Sequence, residues 1–379
     1  MTRRERLMAT LEGKPVDRPA VSFYELNGLD EDPCNDDPFN IYNDPSWKPL
    51  IELTRNYTDR IVMRSLAFNQ YIPDPVDEYA TIERYEDKNS RYTIRRIKAG
   101  KRILTSRTRI DKDVNTIWTI EHLIKDIDDL KAFLDLPPLK LDSSIDISPV
   151  IEAEDALGDS GIVMIDTPDP LCLAAGLFDM SLYTVIAMTE PYLFHRLLEK
   201  FAIVLYHKTK LISEALPGRL WRIYGPEYAV PPYLPPDLFY EYVDRYDAEM
   251  IRMIHKNNGY ARIHSHGRLM DIIDYIAAME ADAIDPIEPP GQGDAILKEV
   301  RQKYGKQFVL FGNLEIADIE NMPTSLFREK VRNALREGTY GECRGFVLMP
   351  SACPYGRKLP ALTLKNYEAI IEELHQFGK

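Results

Sequence analysis

Cysteine is scarce in this chain, with four in 379 residues, at positions 34, 172, 343 and 353. None forms a Cys-x-x-Cys pair, which excludes a disulfide scaffold and a zinc ribbon. Long apolar runs are missing as well; none approaches the about 18 residues that a membrane span needs. Basic charge is in deficit, with 47 Lys and Arg against 60 Asp and Glu and a formal net charge of −13. That balance argues against nucleic acid or an anionic membrane as a partner held by bulk charge. A basic N-terminus is followed by no apolar signal core, and Leu7 and Leu11 read as one face of a short helix. A soluble, cytoplasmic, enzyme-sized protein is the expectation. Proline and tyrosine are plentiful, at 27 and 22, but the prolines separate periodic segments and so do not signal disorder.

What is present is an alternation of short β-rich runs and helical patterns. Candidate strands are 20–24, 60–63, 162–166, 220–224, 261–264, 283–285, 308–311 and 346–349. Leu269, Ile272, Ile273 and Ile276 keep helical 3–4 spacing, as do Leu364, Tyr367, Ile370, Ile371 and Leu374. Asn257-Asn258-Gly259 and Gly305 read as helix stops, each followed directly by a strand. Thr324 reads as the N-cap of a helix over 326–336, with Gly338 past its end. Eight strands alternating with helices predict an α/β fold, a single (β/α)8 barrel spanning 1–379. One stretch breaks the rhythm. Residues 82–120 form alternating, charged runs around a turn at Ala99-Gly100, which predicts an antiparallel β-hairpin insertion after strand two. Its arginines and lysines make the one basic cluster of the chain, either a solvated face or a docking surface for an anionic partner.

In such barrels the chemistry sits at the C-terminal ends of the strands. Polar groups follow nearly every candidate strand: Tyr24-Glu25-Leu26-Asn27, Arg64-Ser65, Asp166-Thr167-Pro168-Asp169, Gly225-Pro226-Glu227, His264-Ser265-His266-Gly267, Asp285-Pro286-Ile287-Glu288, Gly312-Asn313 and Ser351-Ala352-Cys353. Within an extended segment, residues i and i+2 face the same way, so His264 and His266 can both face the barrel mouth. Two imidazoles on one face suit zinc or another divalent metal; two hydrogen-bonded histidines in a polar pocket are the alternative. Cys353, in a loop stiffened by Pro350 and Pro354, adds a third candidate ligand. The other three cysteines read as inert thiols, and histidines 122, 195, 207, 255 and 375 are assigned no role. Glu227 is the leading carboxylate candidate, as a ligand, an orienter of a histidine or a general base. Asp166 and Asp285 are further catalytic candidates, Glu288 can serve likewise, and Tyr24 and Asn313 are candidates for contacting substrate or cofactor.

These residues resemble a known family. The opening Arg3-Arg4-Glu5-Arg6-Leu7-Met8 through Pro19, the segment Thr119-Ile120-Glu121-His122 through Leu130, and Arg262-Ile263-His264-Ser265-His266-Gly267 are similar to uroporphyrinogen decarboxylase-like proteins. So are Asp285-Pro286-Ile287-Glu288, Gly312-Asn313-Leu314, Met349-Pro350-Ser351-Ala352-Cys353 and the closing helix from Thr363. The resemblance implies the same single barrel. True decarboxylases of the family carry an Arg-Gln-Ala-Gly-Arg-Tyr type motif after the first strand; here 24–32 is acidic and lacks arginine, which disfavours an octa-anionic tetrapyrrole. The zinc methyltransferase branch carries His-x-Cys, a distant Cys and often a Glu. Carried over, this gives His264, His266 in place of the first Cys, Cys353 and Glu227. Histidine for cysteine makes the metal more Lewis acidic, suits an oxygen or nitrogen leaving group, and leaves open a metal other than zinc.

The resemblance therefore implies a metal-dependent methyltransferase that moves a methyl group from a small methylated substrate to a corrinoid (cobalamin) carried by a partner protein. A decarboxylase or lyase acting on a non-haem carboxylated substrate is the second expectation, with Arg64, Arg268 and Arg357 gripping carboxylates. A barrel that only binds a corrinoid or tetrapyrrole is the third. A homodimer is left open.

Overall fold

Eight short runs rich in Ile, Val, Leu and Phe become parallel strands because both of their faces are covered. The computed structural model describes residues 1–69, 79–138 and 141–377. The barrel strands are β1 (Ala20–Val21), β2 (Arg60–Arg64), β7 (Gly161–Pro168), β8 (Leu220–Tyr224), β9 (Tyr260–His264), β10 (Ala283–Asp285), β11 (Val309–Leu314) and β12 (Phe346–Pro350). They pair in the order β1-β12-β11-β10-β9-β8-β7-β2. At the seam between β1 and β2, Asp59 serves as the clip: its N–H donates to the Val21 carbonyl at 2.7 Å and its carboxylate accepts the Val21 N–H at 2.9 Å. Arg6 and Arg18 hold that buried carboxylate from below. The result is a (β/α)8 barrel, as the alternation predicts.

Side chains alternate along each strand between barrel interior and helix layer. Leu220, Met164, Ala283, Val309 and Val347 pack together inside with Leu7 and Leu11 from the N-terminal helix Arg3–Leu11. Trp221, Ile263, Ile284, Leu310 and Leu348 face outward against the helices. The closing helix Ala361–Gln376 buries Tyr367, Ile370, Ile371 and Leu374, four of the five positions its spacing singles out. The helix expected over 326–336 runs longer, Thr324–Gly338, with Pro323 at its N-cap, Thr324 as its first residue and Gly338 as its last.

The insertion carries the hairpin at Ala99 and Gly100 and a further strand on either side. Strands β3 (Ala80–Glu86), β4 (Ser90–Ala99), β5 (Arg102–Asp111) and β6 (Ile117–Glu121) form a four-stranded antiparallel sheet. The outer strands were harder to see because nearly every residue of β3 and β6 is exposed, so neither has an apolar face to alternate. The sheet is anchored at the barrel mouth. Asn115 N–H donates to the Tyr355 carbonyl at 2.8 Å, and Arg357 donates to Lys112 O at 2.7 Å and Asn43 Oδ1 at 2.8 Å.

Candidate active site at the barrel mouth

The upper interior of the barrel is charged. Arg222 shares its parity with Leu220 on β8, and Arg262 and His264 share theirs with Tyr260 on β9, so these polar groups point inward. Asp166 lies opposite Arg222 in the β7–β8 register, and Asp285 lies opposite His264 across β9–β10. Arg222 donates through Nε to Asp166 Oδ1 at 2.6 Å and through Nη2 to Oδ2 at 3.2 Å. Arg262, 1% exposed, stands 2.9 Å from Asp285, which is fully buried; the angle is that of an ion pair rather than of a hydrogen bond.

Each histidine of the pair is oriented by its own carboxylate. His264 Nδ1 is 2.8 Å from Asp285 Oδ2, and His266 Nδ1 is 2.7 Å from Glu288 Oε1. Burial works against both carboxylates, but each is outweighed and held below its usual range: Asp285 by Arg262 and His264, Glu288 by His266 and the Gly267 N–H. Ionised carboxylates only accept, so each Nδ1 donates its N–H to its carboxylate. The rings stand perpendicular, with centroids 4.7 Å apart. Gly267, at φ +93°, turns the chain here, and its N–H reaches Glu288 Oε2 at 2.8 Å. Burial pulls the His266 imidazole down, and the hydrogen bond and charge of Glu288 more than offset it, so His266 takes up a proton more readily than an ordinary histidine.

Tyr24 reaches the same point from the opposite wall. Its hydroxyl lies 3.4 Å from His264 Nε2, its ring stacks on the imidazole, and Arg222 Nη1 donates to its oxygen. Beyond it, Glu25 Oε1 is 3.8 Å from Arg222, and Glu25 Oε2 receives the Cys353 thiol at 3.6 Å. Burial, then the Glu25 charge, push the Cys353 thiol well above its usual range, so the sulfur holds its proton. Among the described residues, no three His, Cys, Asp or Glu side chains are assembled around a point that would hold a metal ion. The donor chemistry nevertheless fits a metal at the pair, because a carboxylate at Nδ1 is how histidine turns its Nε2 to zinc; at His264 the Tyr24 hydroxyl, 3.4 Å from Nε2, would have to give way.

Glu227 stands in the loop after β8, where its Oε2 accepts the Gly225 N–H at 3.2 Å; among the described residues it bonds no histidine. Asn313 lies near the end of β11. The three arginines named as carboxylate grips are already engaged: Arg64 with Asp30, Arg268 with Asp271, and Arg357 with the insertion. The acidic loop after β1 is folded by its own acids, since buried Glu31 accepts the N–H groups of Asn27 and Gly28. Three contributors escape a reading of strand ends alone. Arg222 and Arg262 sit inside strands, where a charge at an inward-facing position of an apolar run is the signal. Glu315 follows β11 directly and is 8% exposed; burial and the nearby Glu288 charge push its carboxyl up to about 7.

A parallel barrel with its charged side chains gathered at the carboxyl ends of its strands places the chain in the TIM-barrel class, whose active sites lie at that end. Residues 124–377 match the family model for uroporphyrinogen decarboxylase (URO-D). That is well over half of the chain, and the chain belongs to this family. Among solved structures, a methyltransferase from Methanosarcina mazei aligns over 100% of both chains at a TM-score of 0.60 and 16% identity, a likeness of fold. A Bacteroides ovatus GH5 xyloglucanase in complex with a XXXG heptasaccharide covers 83% of this chain and 98% of its own at 8% identity; its TM-score of 0.29 carries no argument. A search of curated proteins finds none that matches the sequence.

Proposed function

We propose that the protein is a methyltransferase that takes a methyl group from a small methylated compound and passes it to a corrinoid carried by a partner protein. The observation that carries this reading is the histidine pair, each ring fixed at Nδ1 by a buried carboxylate, with the Tyr24 hydroxyl 3.4 Å from His264 Nε2. His264 and His266 would hold a divalent metal, zinc by donor type, with Cys353 as the sulfur donor once its contact with Glu25 is exchanged. Bound there, the metal would act as a Lewis acid that polarises the heteroatom bearing the methyl group.

This chain's own residues orient and insulate. Arg262 keeps Asp285 ionised, and Asp285 keeps the His264 proton on Nδ1. Glu288 does the same for His266. Asp166 fixes Arg222, whose guanidinium aims at the Tyr24 oxygen. Glu227, in the loop after β8, would accept a proton from a ligand entering the mouth. The fold likeness to a methyltransferase supports the reading. Tetrapyrrole decarboxylation is disfavoured because the loop after β1 is acidic, and a lyase for another carboxylated substrate because Arg64, Arg268 and Arg357 have partners within the chain.

The test is spectroscopic. Metal-loaded protein is mixed with reduced cobalamin and a panel of methyl ethers, thioethers and amines, and the methylcobalamin spectrum is followed. Methylation that is lost in His266→Ala and after chelation is the expected result. Methyl transfer that survives exhaustive chelation, or carbon dioxide release from a carboxylated substrate with no methylation, overturns it.

A further inference from the structure

The end of the barrel opposite the histidine pair holds a concavity of its own. The chain enters β1 through residues 13–19 and β12 through Cys343, Arg344 and Gly345. Around these segments lie Arg301, near the end of helix Leu297–Tyr304, Thr339, just past helix Thr324–Gly338, and Phe377, just past helix Ala361–Gln376. Together they enclose a cavity of about 380 Å³, within the size range of small-molecule sites, about 300–1,000 Å³. Phe346, Phe377 and Val16 give it an apolar wall.

Four cations, Lys14, Arg18, Arg301 and Arg344, line it against one carboxylate, Asp17, which Arg6 already holds. Three of the four have acids of their own: Lys14 pairs with Glu12, Arg18 with Asp59, and Arg344 with Asp282. Arg301 has none among the described residues. It is 4% exposed, and its Nε and Nη1 donate only to the carbonyls of Tyr340, Arg344 and Gly345. Its Nη2 bonds nothing and is not sealed off, so two N–H donors stand open at the cavity. Burial pulls this guanidinium's pKa down, opposed only by the Cys343 thiol. A buried cation bonded to carbonyls alone keeps an uncompensated charge.

We propose that this cavity is a binding site for a small organic anion, a carboxylate with an apolar body, whose oxygens accept from Arg301 Nη2 and whose carbons rest on Phe377 and Val16. A carboxylate supplies the one negative charge that the lining lacks and the acceptors that the open donors need, which a neutral amide does not. The site stands apart from the methyltransferase reading, because it lies at the other end of the barrel.

Benzoate is titrated into the purified protein by calorimetry at fixed ionic strength, beside benzamide, a neutral compound of the same shape, and inorganic phosphate. Benzoate binds saturably, benzamide does not, and phosphate, which has the charge without the apolar body, binds more weakly than benzoate. Arg301→Gln weakens benzoate binding by about tenfold or more. Val16→Trp, in the exposed loop before β1, fills the cavity and abolishes binding while leaving Arg301 in place. Saturating benzoate raises the unfolding temperature of the wild type and not that of Val16→Trp. No saturable binding, equal binding of benzamide, phosphate binding as tight as that of benzoate, or binding unchanged in Val16→Trp overturns the proposal, even if Arg301→Gln does not fold.

Discussion

At the scale of single residues, the site is a set of inward-facing charges whose partners are other inward-facing charges. Asp285 is central, because it pairs with Arg262 and orients His264 at once. Asp285→Ala leaves a fully buried guanidinium uncompensated, and urea unfolding is expected to show a loss of about 3–5 kcal/mol; a loss below about 1 kcal/mol contradicts that role. Glu315 makes a pH-dependent claim. Its carboxyl is raised from 4.5 to about 7 in the folded chain, so the unfolded state releases its proton first as pH rises. Stability is therefore unpenalised below pH 4.5, falls between 4.5 and 7, and stays lower above, by about 1–3 kcal/mol after screening. Glu315→Gln flattens that slope in denaturation curves taken across the window; an unchanged slope refutes the assignment. At this scale the sequence was only partly legible. The histidine pair announced itself by spacing, whereas Arg222, Arg262 and Glu315 gain meaning only from which face of a strand or loop they occupy.

At the scale of elements, loops rather than strands carry the precision. Gly225, at φ +124°, lets the end of β8 pass so close to helix Pro170–Ala175, which follows β7, that an added Cβ would stand 2.3 Å from Asp169 Oδ1 and from Cys172 Cβ. Gly225→Ala is expected to cost about 1–3 kcal/mol and to disturb the loop carrying Glu227; thermal unfolding unchanged from wild type contradicts this. The insertion braces the Cys353 loop through Arg357, whose carbonyl also accepts from Trp47 at 2.9 Å. Arg357→Ala removes the guanidinium bonds to Lys112 O and Asn43 Oδ1 and leaves the carbonyl contact, and backbone amides of 353–357 are expected to exchange hydrogen faster while the barrel strands do not. All eight barrel strands were legible from alternation and turn residues, because buried parallel strands advertise their apolar runs. β3 and β6 were not, because exposed edge strands leave no such mark.

At the scale of the whole molecule, charge is unevenly distributed. The chain's net −13 is the sum of −18 on the barrel and its loops and +5 on the insertion sheet, residues 80–121, beside the mouth. No helix among the described residues is long and apolar enough to cross a membrane. The proposed function makes one central claim, that the acidic loop after β1 and the histidine pair turn a URO-D barrel away from tetrapyrrole carboxylates and toward metal-assisted chemistry. That claim meets its most direct test in elemental analysis of the purified protein and of His264→Ala and His266→Ala. About one equivalent of divalent metal in the wild type, lost in both variants while their folded circular dichroism persists, is the result predicted. Wild-type protein that binds no metal when zinc is supplied, or variants that retain the full equivalent, would contradict it.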